Sequence, residues 1–258
     1  MSARAIWQGV LRFANEQLPV KLYSAVLDRN IHFHMLHARD RERLSQRLVN
    51  ARTGHEVPTE QVRKGYPVDR GVYVSVDHDE LANCEPEPSR DIEISAFVPP
   101  EAIPPQYYER PYYLGPDTGH EADYQALATA LENPARHGIA RWTMRKQNYV
   151  GALMGTGGII MLITMRRPDE LVPGHELSPP EGRDLTAQEK QLSQQLLDAL
   201  TGDFDPEQYH DEYQTQLHAL VEAKQKGKHF KAPVYKPKKQ EASLVDSLRQ
   251  SVNRVRSR

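Results

Sequence analysis

A single cysteine, Cys84, in 258 residues excludes an intrachain disulfide and any all-cysteine zinc site. Long apolar runs are also missing. No stretch of roughly eighteen residues is continuously apolar, which excludes a helical membrane span. The N-terminal MSARAIWQGVLRF has neither a continuous apolar core nor a small-residue cleavage site. A secretory signal is therefore not expected, and the reducing cytoplasm is the expected compartment. Apolar residues make up only 38% of the chain and the mean hydropathy is −0.69, low for a wholly compact protein. Part of the chain should be extended or exposed. Catalytic signatures are lacking too. The Gly155-Thr156-Gly157-Gly158 run is followed by no Lys-Ser or Lys-Thr and opens no helix, so it is not a phosphate loop. No GxSxG or HExxH occurs. Cys84 lies in ELANCEPEP, where acidic neighbours oppose thiolate formation.

What is present is an uneven distribution of charge. The net charge of −2 averages two opposite parts. From Lys224 to Arg258, eleven Lys and Arg face only Glu241 and Asp246, a net of +9; the remainder holds 22 bases and 33 acids, a net of −11. A basic tail on an acidic body reads as a polyanion-binding arm, with a solubilising terminus as the plain alternative.

Residues 1–183 are rich in short β-like runs. Val72, Val74 and Val76 alternate with Tyr73 and Ser75, and Ile92, Ile94, Ala96 and Val98 alternate with Glu93, Ser95 and Phe97. Such a period of two places one face on a core. Val20–Ala25, Ile31–His37, Ile139–Met144 and Tyr149–Met154 read the same way. Ile159–Met165 is continuously apolar and predicts a strand buried on both faces, with the Gly-rich run before it as a hairpin turn. Six or seven such strands predict a barrel or sandwich. Glu121–Glu132 predicts an inserted helix ended by Asn133-Pro134.

Beyond Pro179-Pro180 the period becomes helical. Thr186 and Glu189 form a capping box ahead of a stripe of Leu192, Leu196, Leu197 and Leu200, with Gly202 as the C′ stop. Asp205-Pro206 predicts the start of a second helix, striped by Tyr209, Tyr213, Leu217, Leu220 and Val221 and stopped at Gly227. Residues 184–227 are thus a helical arm. Residues 228–258 are a basic extended tail whose end places Leu244, Val245, Leu248, Val252 and Val255 at helical spacing, a docking segment for a partner.

Histidines carry the best enzymatic alternative. His32 and His34 fall on one face of the predicted 31–37 strand with His37 nearby, and such a pair can ligate zinc. His78-Asp79 and His210-Asp211 resemble dyads of metal phosphohydrolases. A metal-dependent phosphohydrolase or nuclease using His32, His34 and nearby acids is the second reading.

Several segments in order carry a family resemblance. They are LPVKLYSA (Leu18–Ala25), IHFHMLH (Ile31–His37), KGYPVDRGVYV (Lys64–Val74), RPYYLGPD (Arg110–Asp117) and FDPEQYHDEY (Phe204–Tyr213). Together they resemble the bacterial Ku proteins, the DNA-end-binding factors of non-homologous end joining. The resemblance implies a mixed β and α fold: a Ku-type β-barrel core with inserted arms that form a dimeric ring, followed by a C-terminal helical arm and the basic tail. It implies no catalysis, no cofactor and no metal. Its implied partners are double-stranded DNA ends, a second copy of the chain, and DNA ligase D, with association with the nucleoid in the cytoplasm. Many such proteins carry a CxxC-type cluster just before the Glu-Val-Pro that is here Glu56-Val57-Pro58. This chain reads NARTGHEVP from Asn50 and has no cysteine there, so side-chain contacts or salt bridges must hold that hairpin.

Sequence-independent binding needs phosphate contacts. A body of −11 grips duplex poorly, but a ring makes escape topological, so few inward bases suffice. The candidate DNA-binding clusters are Arg39, Arg41, Arg43 and Arg47; Arg141, Arg145 and Lys146; and Arg166 and Arg167. In the arm and tail they are Lys224, Lys226, Lys228, Lys231, Lys236, Lys238 and Lys239. Leu244, Leu248 and Val252 are the candidate partner-binding residues. An ordinary solvated charged face is the plain alternative for each basic residue.

Overall fold

The structure, a computed structural model, describes residues 4–132, 136–177 and 182–230. In chain order its strands are β1 (Trp7–Phe13), β2 (Glu16–Ser24), β3 (Lys64–Asp69), β4 (Val72–Val76), β5 (Asp91–Val98), β6 (Tyr108–Pro116), β7 (His137–Met144), β8 (Gln147–Thr156) and β9 (Ile159–Met165). Its α-helices are α1 (His78–Asn83), α2 (Glu121–Leu131), α3 (Ala187–Leu200) and α4 (Glu212–Gln225). The described residues of 1–28 and 34–176 form one unit, and those of 29–33 and 177–258 form another.

In the first unit seven strands close a barrel in the order β1-β2-β6-β9-β8-β7-β5. All neighbours are antiparallel except the pair that closes it. There Val10, Leu11 and Arg12 of β1 run parallel to Asp91, Ile92 and Glu93 of β5. The alternation of the strands sends Leu11, Leu18, Val20, Leu22, Ile92, Ala140, Trp142, Leu153, Ile160 and Leu162 inward, each at most 4% exposed. Each large member stabilises the fold by roughly 1.5–3 kcal/mol through burial.

The predicted strands at 20–25, 72–76, 92–98, 139–144 and 149–154 are all found, and Gly157-Gly158 makes a two-residue hairpin turn. The 72–76 strand corrects the expectation of a core face, because it lies in a two-stranded ribbon outside the barrel with Val72 and Val74 exposed. β9 corrects the expectation of two buried faces. Ile160, Leu162 and Thr164 are buried, while Met161 and Ile163 are half-buried and Ile159 is exposed. A barrel has one inside, so continuous apolarity covers a half-open outer face as well. Ile31–His37 is corrected further: it forms no strand, only an isolated bridge from Leu36 to Arg43.

Helix α2 forms where expected, and its Asn133-Pro134 stop lies outside the described residues. It buries Tyr124, Ala128 and Leu131 against the barrel. The Tyr124 hydroxyl donates to the Leu114 carbonyl at 2.5 Å and accepts from the Ile160 amide at 2.9 Å, joining β6 to β9. Gly155 makes that approach possible. A Cβ there would lie 2.6 Å from the Glu132 nitrogen and 2.7 Å from the Ala128 oxygen.

Between Leu22 and Ile92 no residue is buried. This long insertion carries two tight turns, 36–43 and 49–56, the β3–β4 ribbon and α1. Tyr66, Val68, Val72, Tyr73 and Val74 of the ribbon are all more than half exposed.

In the second unit, Thr186 caps α3 as expected: its hydroxyl accepts from the Glu189 amide and the Glu189 carboxylate accepts from the Thr186 amide. Glu189 is 3% exposed and takes two bonds from the Arg183 guanidinium, at 2.5 and 2.8 Å. These bonds hold its carboxyl at about 2, well below the usual range. The stop differs from expectation. α3 ends at Thr201 in extended conformation, whose hydroxyl donates back to the Leu197 carbonyl, and Gly202 is not left-handed. Asp205-Pro206 opens only a single 3-10 turn, Pro206–Gln208. The helix proper begins at Glu212, with Asp211 accepting from the Gln214 amide as N-cap. Tyr209 therefore lies outside the helical stripe. Gly227, at φ +66°, follows the helix end as expected. The Gln214 amide group binds Ile31 and Asn30, tying residues 29–33 to α4.

Candidate nucleic-acid interface

The first arginine cluster is set by two turns in the inserted arm. In the first, His37 and Glu42 close the chain through backbone bonds, and the Asp40 carboxylate takes His37 Nδ1 at 2.8 Å and the Glu42 amide. These contacts lower the Asp40 carboxyl pKa, chiefly through the Glu42 amide. Arg39 and Arg41 sit at the tip, Arg41 at φ +63°, and Arg43 follows in the bridge. Among the described residues the guanidinium groups of Arg39, Arg41 and Arg43 meet no carboxylate. In the second turn the Asn50 side chain accepts from the amides of Arg52 and Thr53, and Arg47 pairs with Glu56 at 2.8 Å. Arg47 is thus engaged in holding its hairpin.

The second cluster lies on β7 and its turn. Arg141 is exposed and stands opposite Glu93 on β5. Met144 pairs with Gln147, so Arg145 and Lys146 are the two turn residues, at φ +51° and +66°. Side chains avoid this left-handed region at a cost on the order of 1 kcal/mol each. Two basic side chains thus occupy positions where Asn-Gly is the unstrained choice. Lys146 reaches Glu85 at 2.8 Å; Arg145 meets no acid among the described residues.

Arg166 and Arg167 are committed elsewhere. The Arg166 guanidinium donates to the carbonyls of Gln106 and Tyr108, at 3.1 and 2.7 Å. Arg167 pairs with Asp169 and Glu170, which raises its pKa, chiefly through the Asp169 hydrogen bond. In the second unit Lys224 lies in the last turn of α4, where a cation complements the helix dipole. Lys226 pairs with Glu222 and Lys228 is exposed. Lys231, Lys236, Lys238 and Lys239, with Leu244, Leu248 and Val252, lie outside the described residues.

The histidine reading loses its geometry. His32 and His34 share no strand face, because 31–35 forms no strand. His78 begins α1, and His210 precedes the N-cap Asp211 and so stands off the helix on which it was placed. Among the described residues no three His, Cys, Asp or Glu side chains group as a metal site would require.

A family model described as the Ku70/Ku80 beta-barrel domain matches residues 12–199, from the end of β1 through the other barrel strands, the inserted arm and all but the last residue of α3. The chain belongs to the Ku family. The non-homologous end joining protein Ku 2 of Geotalea uraniireducens is 36% identical over 98% of this chain and 97% of its own length. The non-homologous end joining protein Ku of Anaeromyxobacter sp. is 36% identical, over 99% and 87% respectively. That of Mycobacterium tuberculosis is 32% identical, over 87% and 84%.

Within this Ku chain, the hairpin before Glu56-Val57-Pro58 does not fit a metal. His55 and Glu56 are its only such donors, and Glu56 is held by Arg47. The salt bridge and the Asn50 turn do the holding that its sequence demanded. Sequence reasoning missed Arg90. The fold brings this exposed residue, single in its local run, to the same hollow as Arg145 and Lys146. Only the β5–β7 pairing, with Ile92 opposite Trp142, reveals that neighbourhood.

Proposed function

We propose that the chain is a non-catalytic homodimeric protein that binds double-stranded DNA ends without regard to sequence, threads them through a ring, and recruits DNA ligase D in repair of double-strand breaks by non-homologous end joining. The observation that carries this reading beyond family membership is the arm between Leu22 and Ile92. It has no buried residue, yet it presents an apolar ribbon. A two-stranded ribbon is marginal alone, and a second copy offers the matching surface through an isologous contact. Arg39, Arg41, Arg43, Arg141 and Arg145, whose guanidinium groups meet no acid among the described residues, are the leading phosphate contacts; Arg47, Lys146, Arg166 and Arg167 contribute what their internal partners leave free. The division of labour follows the chain: residues 1–183 as barrel and ring-forming arm, 184–227 as helical arm, 228–258 as a tail whose lysines tether DNA and whose Leu244, Leu248 and Val252 dock the ligase. The acidic body discourages side-on binding, so threading sets the preference for ends.

The test compares linear and covalently closed circular duplex of one sequence. Retention on the linear form and loss from the circular form at moderate salt are expected. Equal retention on both would remove the ring.

A further inference from the structure

The β7–β8 turn does more than display two cations. Between it, the segment 85–90 and Trp7 lies a hollow of about 380 Å³. Arg90, Arg145 and Lys146 line it against one carboxylate, Glu85, which holds Lys146. Pro86 and Pro88 fix φ along one wall. Trp7 is laid over its own strand because Gly9 has no side chain. A Cβ there would lie 2.1 Å from the indole and 2.3 Å from the Arg90 carbonyl oxygen. Gly9 therefore lets the indole and the Arg90 backbone come together at one end of the barrel.

Three cations against one carboxylate favour an anion carrying two charges. Concavity narrows the choice further. The phosphates along a threaded duplex are diesters on a convex surface, each with one charge. A strand terminus enters a hollow and carries a monoester dianion. The left-handed Arg145 and Lys146 are strained in a way that persists where a site requires it.

We propose that this hollow receives the terminal phosphomonoester of a DNA strand, held by Arg90 and Arg145, with Lys146 released to it from Glu85. It rests on the end-binding reading for the identity of the ligand as a strand end. The phosphoryl chemistry itself does not. A free nucleotide or inorganic phosphate presents the same group.

Two measurements on the full chain separate these sources. The first titrates inorganic phosphate, with chloride at matched ionic strength, and reads tryptophan fluorescence. A saturable change that disappears in Trp7→Phe and in Arg90→Ala supports the hollow. No saturable change overturns it, whether or not the protein binds DNA. The second compares one duplex with 5′-phosphate and with 5′-hydroxyl ends. The phosphorylated form is expected to bind about tenfold more tightly, a ratio that falls to unity in Arg90→Ala and rises in Glu85→Gln, which frees Lys146 without removing a cation. Phosphate binding with equal affinity for the two duplexes overturns the strand-end source and leaves a free phosphoryl ligand. Failure to hold either duplex overturns the end-binding reading instead.

Discussion

Tyr124 shows how much a single side chain can decide in this barrel. Its hydroxyl serves a carbonyl of β6 and an amide of β9 at once, with the ring 6% exposed. Replacing it with Phe keeps the packing but strands both backbone groups out of water. Tyr124→Phe is expected to lose about 1–3 kcal/mol of stability, read as a lower urea midpoint with an unchanged slope. An unaltered midpoint would mean that water takes over both bonds. Glu189 decides matters in the second unit. Its carboxyl titrates at about 2 in the fold, below the ordinary 4.5, first because Arg183 binds it. A depressed carboxyl stabilises the folded state above the ordinary value, and that stabilisation is lost as pH falls from there towards about 2. Helical circular dichroism should therefore show α3 weakening through that window. In Glu189→Gln the acid loss should flatten, from a lower starting stability.

At the scale of elements, the β3–β4 ribbon is the part most exposed to test. Tyr66 and Val74 are cross-strand partners and so share a face. Val74→Asp places a charge on that face and should convert the proposed dimer to monomer in light scattering, with the barrel's far-ultraviolet spectrum unchanged. A dimer that survives would move the interface elsewhere. Elements also mark where the sequence was legible. β7 alternates cleanly, with Gly138, Ala140, Trp142 and Met144 on the core face, and Thr186 with Glu189 announces α3. β6 escaped detection as a strand because Pro111 and Gly115 interrupt it. There the ladder is irregular, and the Thr164 hydroxyl takes the Arg110 amide at 3.0 Å. The segment 31–37 failed in the opposite sense, since its alternation finds no neighbouring strand to pair with. Asp205-Pro206 has the right residues for a helix start, but Asp211 captures that role six residues later. The basic clusters were legible as composition. Which of their members are already bound to carbonyls and carboxylates depends on long-range neighbours, as Arg166 and Tyr108 show.

At the scale of the whole molecule, the chain joins an acidic body to a basic end. Deleting 228–258 removes nine Lys and Arg against two acids, a net of +7, and spares α4. DNA affinity is expected to fall and its salt dependence to flatten, because fewer counterions are released on binding. The proposed dimer should persist. An unchanged salt slope would take the tail out of DNA binding and leave it as a docking segment for the ligase.

The parallel seam between β1 and β5 has a topological consequence. The arm leaves the barrel from β2 and returns into β5, and β1 lies between those two strands. Its roots therefore flank β1 on either side, and both are anchored in the barrel. The arm is a handle fixed at both ends, with no free end to peel away. A single backbone cut within the arm would leave two fragments still held together by the barrel.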